Sequence, residues 1–168
     1  ADKEGISELV SMAMRGDVGV VGARSYYKNG TLEHAGCVIG MNGTAGSLFE
    51  HTLRGENGYF SHIVTQMQYS AVAGACMMVK KDIFEKVNGF DEGYKGELGK
   101  VDLCLKIRNK HISVVYNPYV EMVRWSNELQ NNENDEKIFK KQWAEILEKG
   151  DPYYNKNLSL SVSGCNIR

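Results

Sequence analysis

Apolar residues recur at helical spacing near both ends of the chain. The first stretch predicts an amphipathic helix that ends near Gly16, with an inward face made of Ile6, Leu9, Val10, Ala13 and Met14. A second stretch, residues 138–147, predicts a final amphipathic helix that ends at Gly150. Between them, residues 101–110 carry a third helical pattern. Helices of this kind bury one apolar face against the rest of a domain.

Strands are predicted where β-branched and aromatic residues form short apolar runs, at residues 18–27, 69–79 and 112–116. The Asn29-Gly30 pair predicts a tight turn because it supplies the positive φ that a reversal needs, and residues 31–39 are expected to return as a strand. A short helix is predicted to begin with a capping box formed by Asp82 and Glu85. The alternation of strands and helices indicates an α/β or α+β fold.

Two segments without periodicity are expected to be loops. Residues 40–58 contain five glycines and predict a long mobile loop, and long loops in compact domains are often functional. Residues 128–136 are polar and rich in asparagine, which also predicts a loop. The glycines at positions 40, 43 and 46 do not open a helix, so they do not predict a phosphate-binding loop.

Composition and charge exclude several classes of function. With 168 residues the chain has the length of one domain. Lys and Arg number 20 against 21 Asp and Glu, a net charge of −1 that argues against nucleic acid as a partner. No apolar run approaches the ~18 residues of a membrane span. The four cysteines form no Cys-x-x-Cys pair and sit mostly in apolar stretches, as buried thiols do. A reducing compartment fits this pattern, and we expect a cytoplasmic location, including the inner face of the membrane.

Several short motifs occur in a fixed order along nearly the whole chain. They are GVVGA at 19–23, the hairpin GTLEHAG at 30–36, ACMMVK at 75–80, GFDE at 89–92 and DLCLK at 102–106, followed by Asn117-Pro118-Tyr119 and by DPYYN at 151–155. In this order and spacing the chain resembles the family 2 glycosyltransferases of the GT-A fold. The resemblance is closest to the rhamnosyltransferase-type and polysaccharide-assembling members.

The resemblance implies a partial GT-A fold: an α/β, Rossmann-like mixed sheet flanked by helices, with a β-hairpin and a long Gly-rich loop. Residues 1–168 would form a single domain, the C-terminal, acceptor-side portion, without the nucleotide-binding half. The implied activity is transfer of a sugar from a nucleotide-diphosphate sugar to a hydroxyl of a glycan or lipid-linked acceptor. The complete enzyme would use Mg²⁺ or Mn²⁺. A missing half would leave a sheet edge open, and pairing through that edge would give a homodimer.

The chain departs from the family pattern at three places. Its aspartates stand at positions 2, 17, 82, 91, 102, 135 and 151, so it has no Asp-x-Asp motif for a metal. Lys100 occupies the position of the family's general base, and a lysine is ordinarily protonated at neutral pH. Arg124 and Trp125 stand where the family has its late histidines. We therefore expect the chain alone to be inactive. The alternative is a non-catalytic glycan-binding or scaffold module with the same fold.

Asp102 and Glu97 are the candidates for catalysis near the expected reaction centre, and Lys100 occupies the family's base position there. Asp102 borders the cleft in the family, although it could instead cap the helix that it begins. Glu97 is the acid nearest to the vacant base position and could take over that role. Lys100 could pair with phosphate as a point charge, or it could be a solvated loop residue.

Five further residues are candidates for acceptor binding by resemblance. Asp91 and Glu92 could contact an acceptor sugar or only order their loop. His34 belongs to the hairpin motif and has a structural role as its alternative. Trp125 could stack on a sugar or pack in the core. Gly74 could let substrate approach its strand, or it could permit close packing of the backbone.

Overall fold

The computed structural model describes residues 3–72, 75–125 and 131–167. Twelve helices and strands follow one another in it: α1 Lys3–Ala13, β1 Val18–Tyr26, β2 Leu32–His34, β3 Cys37–Ile39, β4 Ala45–Ser47, β5 Met67–Gln68, β6 Met77–Val79, α2 Lys81–Lys86, α3 Leu98–Arg108, β7 Ser113–Val123, α4 Glu133–Gln142 and α5 Ala144–Lys149. Two 3₁₀ turns, Met41–Gly43 and Tyr59–Ser61, lie within the long connection between β3 and β5.

The main sheet is built around β1, which pairs with β7 in parallel along its whole length. Its other edge pairs with β6 near Val20–Gly22 and with β2 near Ser25–Tyr26, both antiparallel. β5 adds a short antiparallel strand to the far edge of β7. β3 and β4 form a separate two-stranded sheet. The prediction of a mixed α/β sheet flanked by helices, with a hairpin, is confirmed.

Apolar side chains cover β1 on both faces, which explains why its sequence reads as an almost unbroken apolar run. On one face, Leu9 and Ala13 of α1 pack on residues of β1 and β7. On the other, Val20 joins a larger core that includes α3 and the β3–β4 sheet. Gly22 permits a close crossing there, because a Cβ at this position would lie 2.5 Å from Val72 Cβ.

The ends and interruptions of the elements differ from the sequence predictions. Residues 31–39 split into two strands in different sheets, because Gly36 turns the chain at a φ of 109°. Within residues 69–79 only the last three described residues form a strand. The final helix is two helices, separated by the non-helical Trp143. Asp82 and Glu85 form no capping box, and α2 begins after Lys80 without a side-chain cap.

Two predicted environments are also corrected. Residues 40–58 are not featureless, because they contain β4 and bury Leu48 and Phe49. On α1, only Leu9 and Ala13 are buried, and the other three predicted inward residues are exposed: Ile6, Val10 and Met14. The cysteines are free thiols, with Cys37 and Cys104 buried as predicted. Burial raises the pKa of Cys104 to about 12, so this thiol is unreactive.

Asp151 joins the C-terminal segment to the rest of the fold. Its carboxylate accepts hydrogen bonds from Ile39 N at 2.7 Å, from Ser70 Oγ at 2.6 Å and from Tyr153 N at 2.9 Å. Arg108 donates to Ser70 Oγ at 2.7 Å and lies over the Tyr153 ring. The DPYYN motif therefore ties β3, α3 and the segment before β6 together.

Candidate functional site

Polar side chains gather at the carboxyl ends of β1 and β7. Because these strands are parallel and Tyr26 pairs with Val123, the residues that follow them, Tyr27 and Arg124, lie side by side. Arg124 N also donates to Tyr26 O at 2.9 Å, which fixes the backbone there. In open α/β sheets, ligands bind outside the carboxyl ends of the strands. This edge is therefore where we place the candidate site.

Four side chains of alternating charge form a chain at this edge, which we call the charged cluster: Glu33, Arg124, Glu97 and Lys100. Arg124 Nε lies 2.6 Å from Glu33 Oε1, and Arg124 Nη2 lies 3.5 Å from Glu97 Oε1. Lys100 Nζ donates to both carboxylate oxygens of Glu97 at 2.9 Å. The formal charges of the four sum to zero. Each charge thus has an opposite neighbour.

The inner pair of the charged cluster is buried. The side chains of Arg124 and Glu33 are 9% and 4% exposed. Burial raises the pKa of Glu33, while the Ser25 hydroxyl and the charge of Arg124 act against that rise. Glu97 and Glu50 add to the rise through repulsion. Arg124 therefore favours the carboxylate form of Glu33 inside the protein.

The outer pair of the charged cluster lines a cavity of about 180 Å³. Its polar lining consists of Glu97, Lys100, Glu50, Asn42, Ser47 and Asn131, and Val72 and Val101 contribute apolar surface. Two of the predicted site residues, Glu97 and Lys100, therefore face one cavity. Glu50 and Asn131 were not predicted from the sequence, since neither belongs to a recognisable motif.

The start of α4 holds the segment that carries Glu97. Asn131 Oδ1 accepts from Leu98 N at 2.9 Å. The buried Asp135 carboxylate accepts from Lys95 N at 3.0 Å and from Gly96 N at 2.9 Å. Asn132 and Asp135 also form a capping box for α4, in a segment predicted to be a loop. The spacing of Asn132 and Asp135 is the signal that could have revealed it.

Aromatic side chains lie on the rim of this edge. Trp125 is 76% exposed, so the prediction that it packs in the core is wrong. Lys28 Nζ lies 5.2 Å from the centroid of its ring system. Tyr27 stacks on His51 with ring centroids 5.3 Å apart, and its hydroxyl donates to Glu50. Glu50 thus links the cavity to this aromatic rim.

Asp102 lies inside α3 and is fully buried. Its Oδ1 accepts from Gln142 Nε2 at 2.7 Å and from Trp143 Nε1 at 3.0 Å, and Lys106 Nζ lies 3.1 Å from Oδ2. These contacts join α3 to the α4–α5 junction. Since α3 begins at Leu98, the interpretation of Asp102 as a helix cap is wrong. A catalytic role for Asp102 stays a prediction.

The remaining predicted site residues are scattered. His34 is fully buried, with Gly36 N donating to its Nε2 at 3.3 Å and Ser47 Oγ 3.4 Å from its Nδ1. Asp91 and Glu92 are exposed. Asp91 Oδ1 accepts from Gly93 N at 2.8 Å, which orders their loop. Gly74 lies outside the described residues. Acceptor binding by these four residues stays a prediction.

The protein is expected to lose stability on acidification because of His34. Burial, and secondarily the charge of Arg124, lower the pKa of His34 from 6.5 to about 3. The unfolded imidazole takes up a proton near pH 6.5 and the folded one does not, so the stability present at neutral pH is lost as the pH falls. At about 1.4 kcal/mol per pH unit, we expect His34 to remove about 2 kcal/mol between pH 6.5 and 5.

Urea unfolding at several pH values measures this loss, with His34→Gln as the matched variant that cannot titrate in this range. Titrating carboxylates affect the stability of both proteins equally. The difference between the two pH dependences of the free energy of unfolding therefore measures the contribution of His34. Parallel pH dependences would contradict the assignment.

The described residues do not form a binding site for a divalent metal ion. They hold no group of three or more His, Cys, Asp or Glu side chains that could bind one. In the cavity, both oxygens of Glu97 accept from Lys100 at 2.9 Å, and Arg124 lies 3.5 Å away. A divalent cation at Glu97 would therefore meet two positive charges. The metal requirement of a longer enzyme stays a prediction.

A larger groove of about 570 Å³ lies between α3, α5 and residues 150–152. Leu105, Arg108, Trp143 and Ile146 line it. It contains none of the candidate residues of the charged cluster. We therefore do not place the site there, although this groove is the natural competitor for a bound ligand.

Two curated proteins are similar to the chain over most of its length. One is the uncharacterized protein y4gI of Sinorhizobium fredii, 36% identical over 168 residues, which covers 92% of this chain and 18% of that protein. The other is the O-antigen biosynthesis protein RfbC of Myxococcus xanthus, 31% identical over 175 residues, which covers 99% of this chain and 14% of that protein. The chain thus spans less than a fifth of either relative. Neither a protein-family model nor a solved structure matches it.

Among the described residues, no helix combines the length and apolar character that crossing a bilayer requires.

Proposed function

We propose that the chain is the acceptor-side part of a family 2 glycosyltransferase domain that acts in polysaccharide assembly. The observation that carries the proposal is the similarity of 99% of this chain to an O-antigen biosynthesis protein. The reaction would move a sugar from a nucleotide-diphosphate sugar to a hydroxyl of a glycan or lipid-linked acceptor. We place the protein in the cytoplasm, including the inner face of the membrane, because its four cysteines are free thiols, as a reducing compartment keeps them.

The position of the motifs in the fold supports this proposal. The first motif lies in β1 and Asn117-Pro118-Tyr119 lies in β7, so two motifs are part of one parallel strand pair. The DLCLK motif lies in α3, which contacts both strands. Arg124, which follows β7, links the carboxyl end of that pair to the cavity with Glu97 and Lys100, because its Nη2 lies 3.5 Å from Glu97 Oε1. A sugar hydroxyl that enters this cavity would meet polar groups at the usual ligand edge of an α/β sheet.

We further propose that residues outside this chain supply the nucleotide-binding half. The sequence has no Asp-x-Asp motif, and the relatives are more than five times as long as the matched segment. Among the described residues β6 pairs only with β1, so its other edge is available to a further strand. The same edge offers a second copy of the chain a place to pair. Mg²⁺ or Mn²⁺, if the complete enzyme uses it, would be bound by that other half.

A second candidate function rests on Lys100. Its ammonium group is fixed to Glu97 at 2.9 Å, in the place where the resemblance puts a general base. A protonated lysine cannot accept the acceptor proton. This contact favours a non-catalytic glycan-binding or scaffold module that keeps the glycosyltransferase fold.

An activity assay separates the two candidates. We expect no turnover of nucleotide sugars by the 168-residue chain with Mn²⁺, and transfer by the longer polypeptide that contains it. Turnover by the isolated chain would contradict the proposed division of the domain. In the longer polypeptide, Lys100→Asp should raise transfer if the site is a degenerate enzyme. If neither the wild-type longer polypeptide nor its Lys100→Asp variant transfers sugar, the result contradicts the proposed transferase activity and favours the glycan-binding function.

A further inference from the structure

The strongest unassigned feature is the cavity beside the outer pair of the charged cluster. We propose that it binds one neutral sugar residue, without a metal ion, through Glu97 and Lys100. The inference rests on the proposed function, because it names the class of sugar that the acceptor side receives. It also holds for the non-catalytic alternative, since binding needs no transfer.

The Glu97–Lys100 pair has the hydrogen-bonding capacity that a sugar requires. A sugar hydroxyl is both a donor and an acceptor, whereas a carboxylate only accepts and an ammonium group only donates. The Lys100 ammonium group and the Glu97 carboxylate oxygens lie 2.9 Å apart, a spacing that suits two neighbouring hydroxyls of one sugar. Lys100 has three N–H groups and contacts two carboxylate oxygens, so one N–H is left for a ligand. The Glu97 carboxylate has about four acceptor positions and retains at least one.

The charge around the cavity favours a neutral ligand. Glu97 is already balanced by Lys100 and Arg124. Glu50, which accepts from the Tyr27 hydroxyl and lies 3.7 Å from His51 Nε2, adds a second carboxylate to the lining. The carboxylate of an acidic sugar would face the Glu50 carboxylate, and the two nearby cations, Lys100 and Arg124, are already paired with Glu97. A divalent cation would face Lys100 and Arg124. The arrangement therefore disfavours both an acidic sugar and a metal-bridged ligand.

The size of the cavity limits the ligand to a single sugar ring. Its volume of about 180 Å³ equals that of about six water molecules, at ~30 Å³ each. Longer glycans would have to leave the cavity along the rim. Trp125 follows Arg124 directly in the sequence and is 76% exposed, which makes it the candidate to stack on the next sugar.

Ligand-observed NMR on the 168-residue chain tests the inference, with methyl glycosides of glucose, mannose, galactose and rhamnose as neutral probes. Methyl glucuronide is the acidic probe. We expect at least one neutral glycoside to bind with a Kd in the millimolar range, unchanged by EDTA, and the glucuronide to bind at least tenfold more weakly. Glu97→Gln and Lys100→Met should each weaken the neutral probe at least tenfold. Glu145→Gln, which removes the exposed carboxylate of another lysine pair, should leave it unchanged.

Thermal unfolding of each variant confirms that it is folded before binding is measured, and Lys100→Gln replaces Lys100→Met if the latter is not. Binding that needs Mn²⁺, that survives Glu97→Gln, or that favours the glucuronide would overturn the inference, as would the absence of binding by every neutral probe. If the longer polypeptide transfers sugar while no probe binds here, only this inference fails. If the probes bind as expected and no polypeptide transfers sugar, only the proposed transferase activity is contradicted.

Discussion

Replacing Asp151 with alanine is expected to lower the free energy of unfolding by about 4 kcal/mol. The carboxylate accepts three hydrogen bonds, and two of the donors, Ile39 N and Ser70 Oγ, belong to buried residues. A buried donor that loses its acceptor costs about 1–3 kcal/mol, because water cannot replace the partner. The C-terminal segment would lose its main tie to β3 at the same time.

Urea unfolding measures the effect, provided that the m-value stays constant. Asp151→Asn keeps one acceptor oxygen and should cost clearly less than alanine. Asp82→Ala removes an exposed carboxylate of α2 and serves as the control, with a stability within about 0.5 kcal/mol of the wild type. A loss below 1 kcal/mol for Asp151→Ala would show that the C-terminal segment is not held through this residue.

Replacing Arg124 with methionine is expected to cost about 3 kcal/mol at pH 7. The substitution leaves Glu33 buried without its cation, and breaking one side of a buried pair is among the most destabilising changes. The double variant Glu33→Gln with Arg124→Met should recover most of the loss, because the amide carries no charge. A double variant as unstable as Arg124→Met alone would contradict the pairing.

The cost of Arg124→Met should also shrink as the pH falls. The pKa of Glu33 is already raised by burial, and losing Arg124 raises it further. Folding of the variant then favours the protonated form of Glu33. The stability that Arg124→Met removes is therefore largest above the folded pKa of Glu33, and the loss disappears below the unfolded pKa of 4.5. Loss of Arg124 also raises the pKa of His34, which acts in the same direction. Unfolding free energies of variant and wild type, compared at pH 7 and pH 4.5, measure the change.

The sequence predicts the centre of the sheet better than its margins. The apolar run of β1 is buried on both faces, and a strand of this kind is recognisable without knowledge of its partners. The apolar run at residues 69–79 is ambiguous, because Val72 is buried by crossing over Gly22 rather than by strand pairing. On α1 the periodicity identifies the helix, but packing buries a narrower face than the pattern indicates.

Half of the charged cluster could be predicted, and the other half could not. Glu97 and Lys100 are three residues apart at the start of α3, so helical geometry alone brings them together. Glu33 and Arg124 are distant in sequence and meet only because β2 and β7 flank the same strand. Asn131 stands two residues before α4 and lines the cavity, and there only the capping spacing of Asn132 and Asp135 gave a local signal.

An NMR titration that follows every backbone amide locates the sugar site. The neutral methyl glycoside that binds best is added to the labelled 168-residue chain. We expect shifts that saturate together at Glu97, Lys100, Asn131 and the residues around Glu50. Shifts confined to the groove around Arg108 and Trp143, or no shifts at all, would contradict this location.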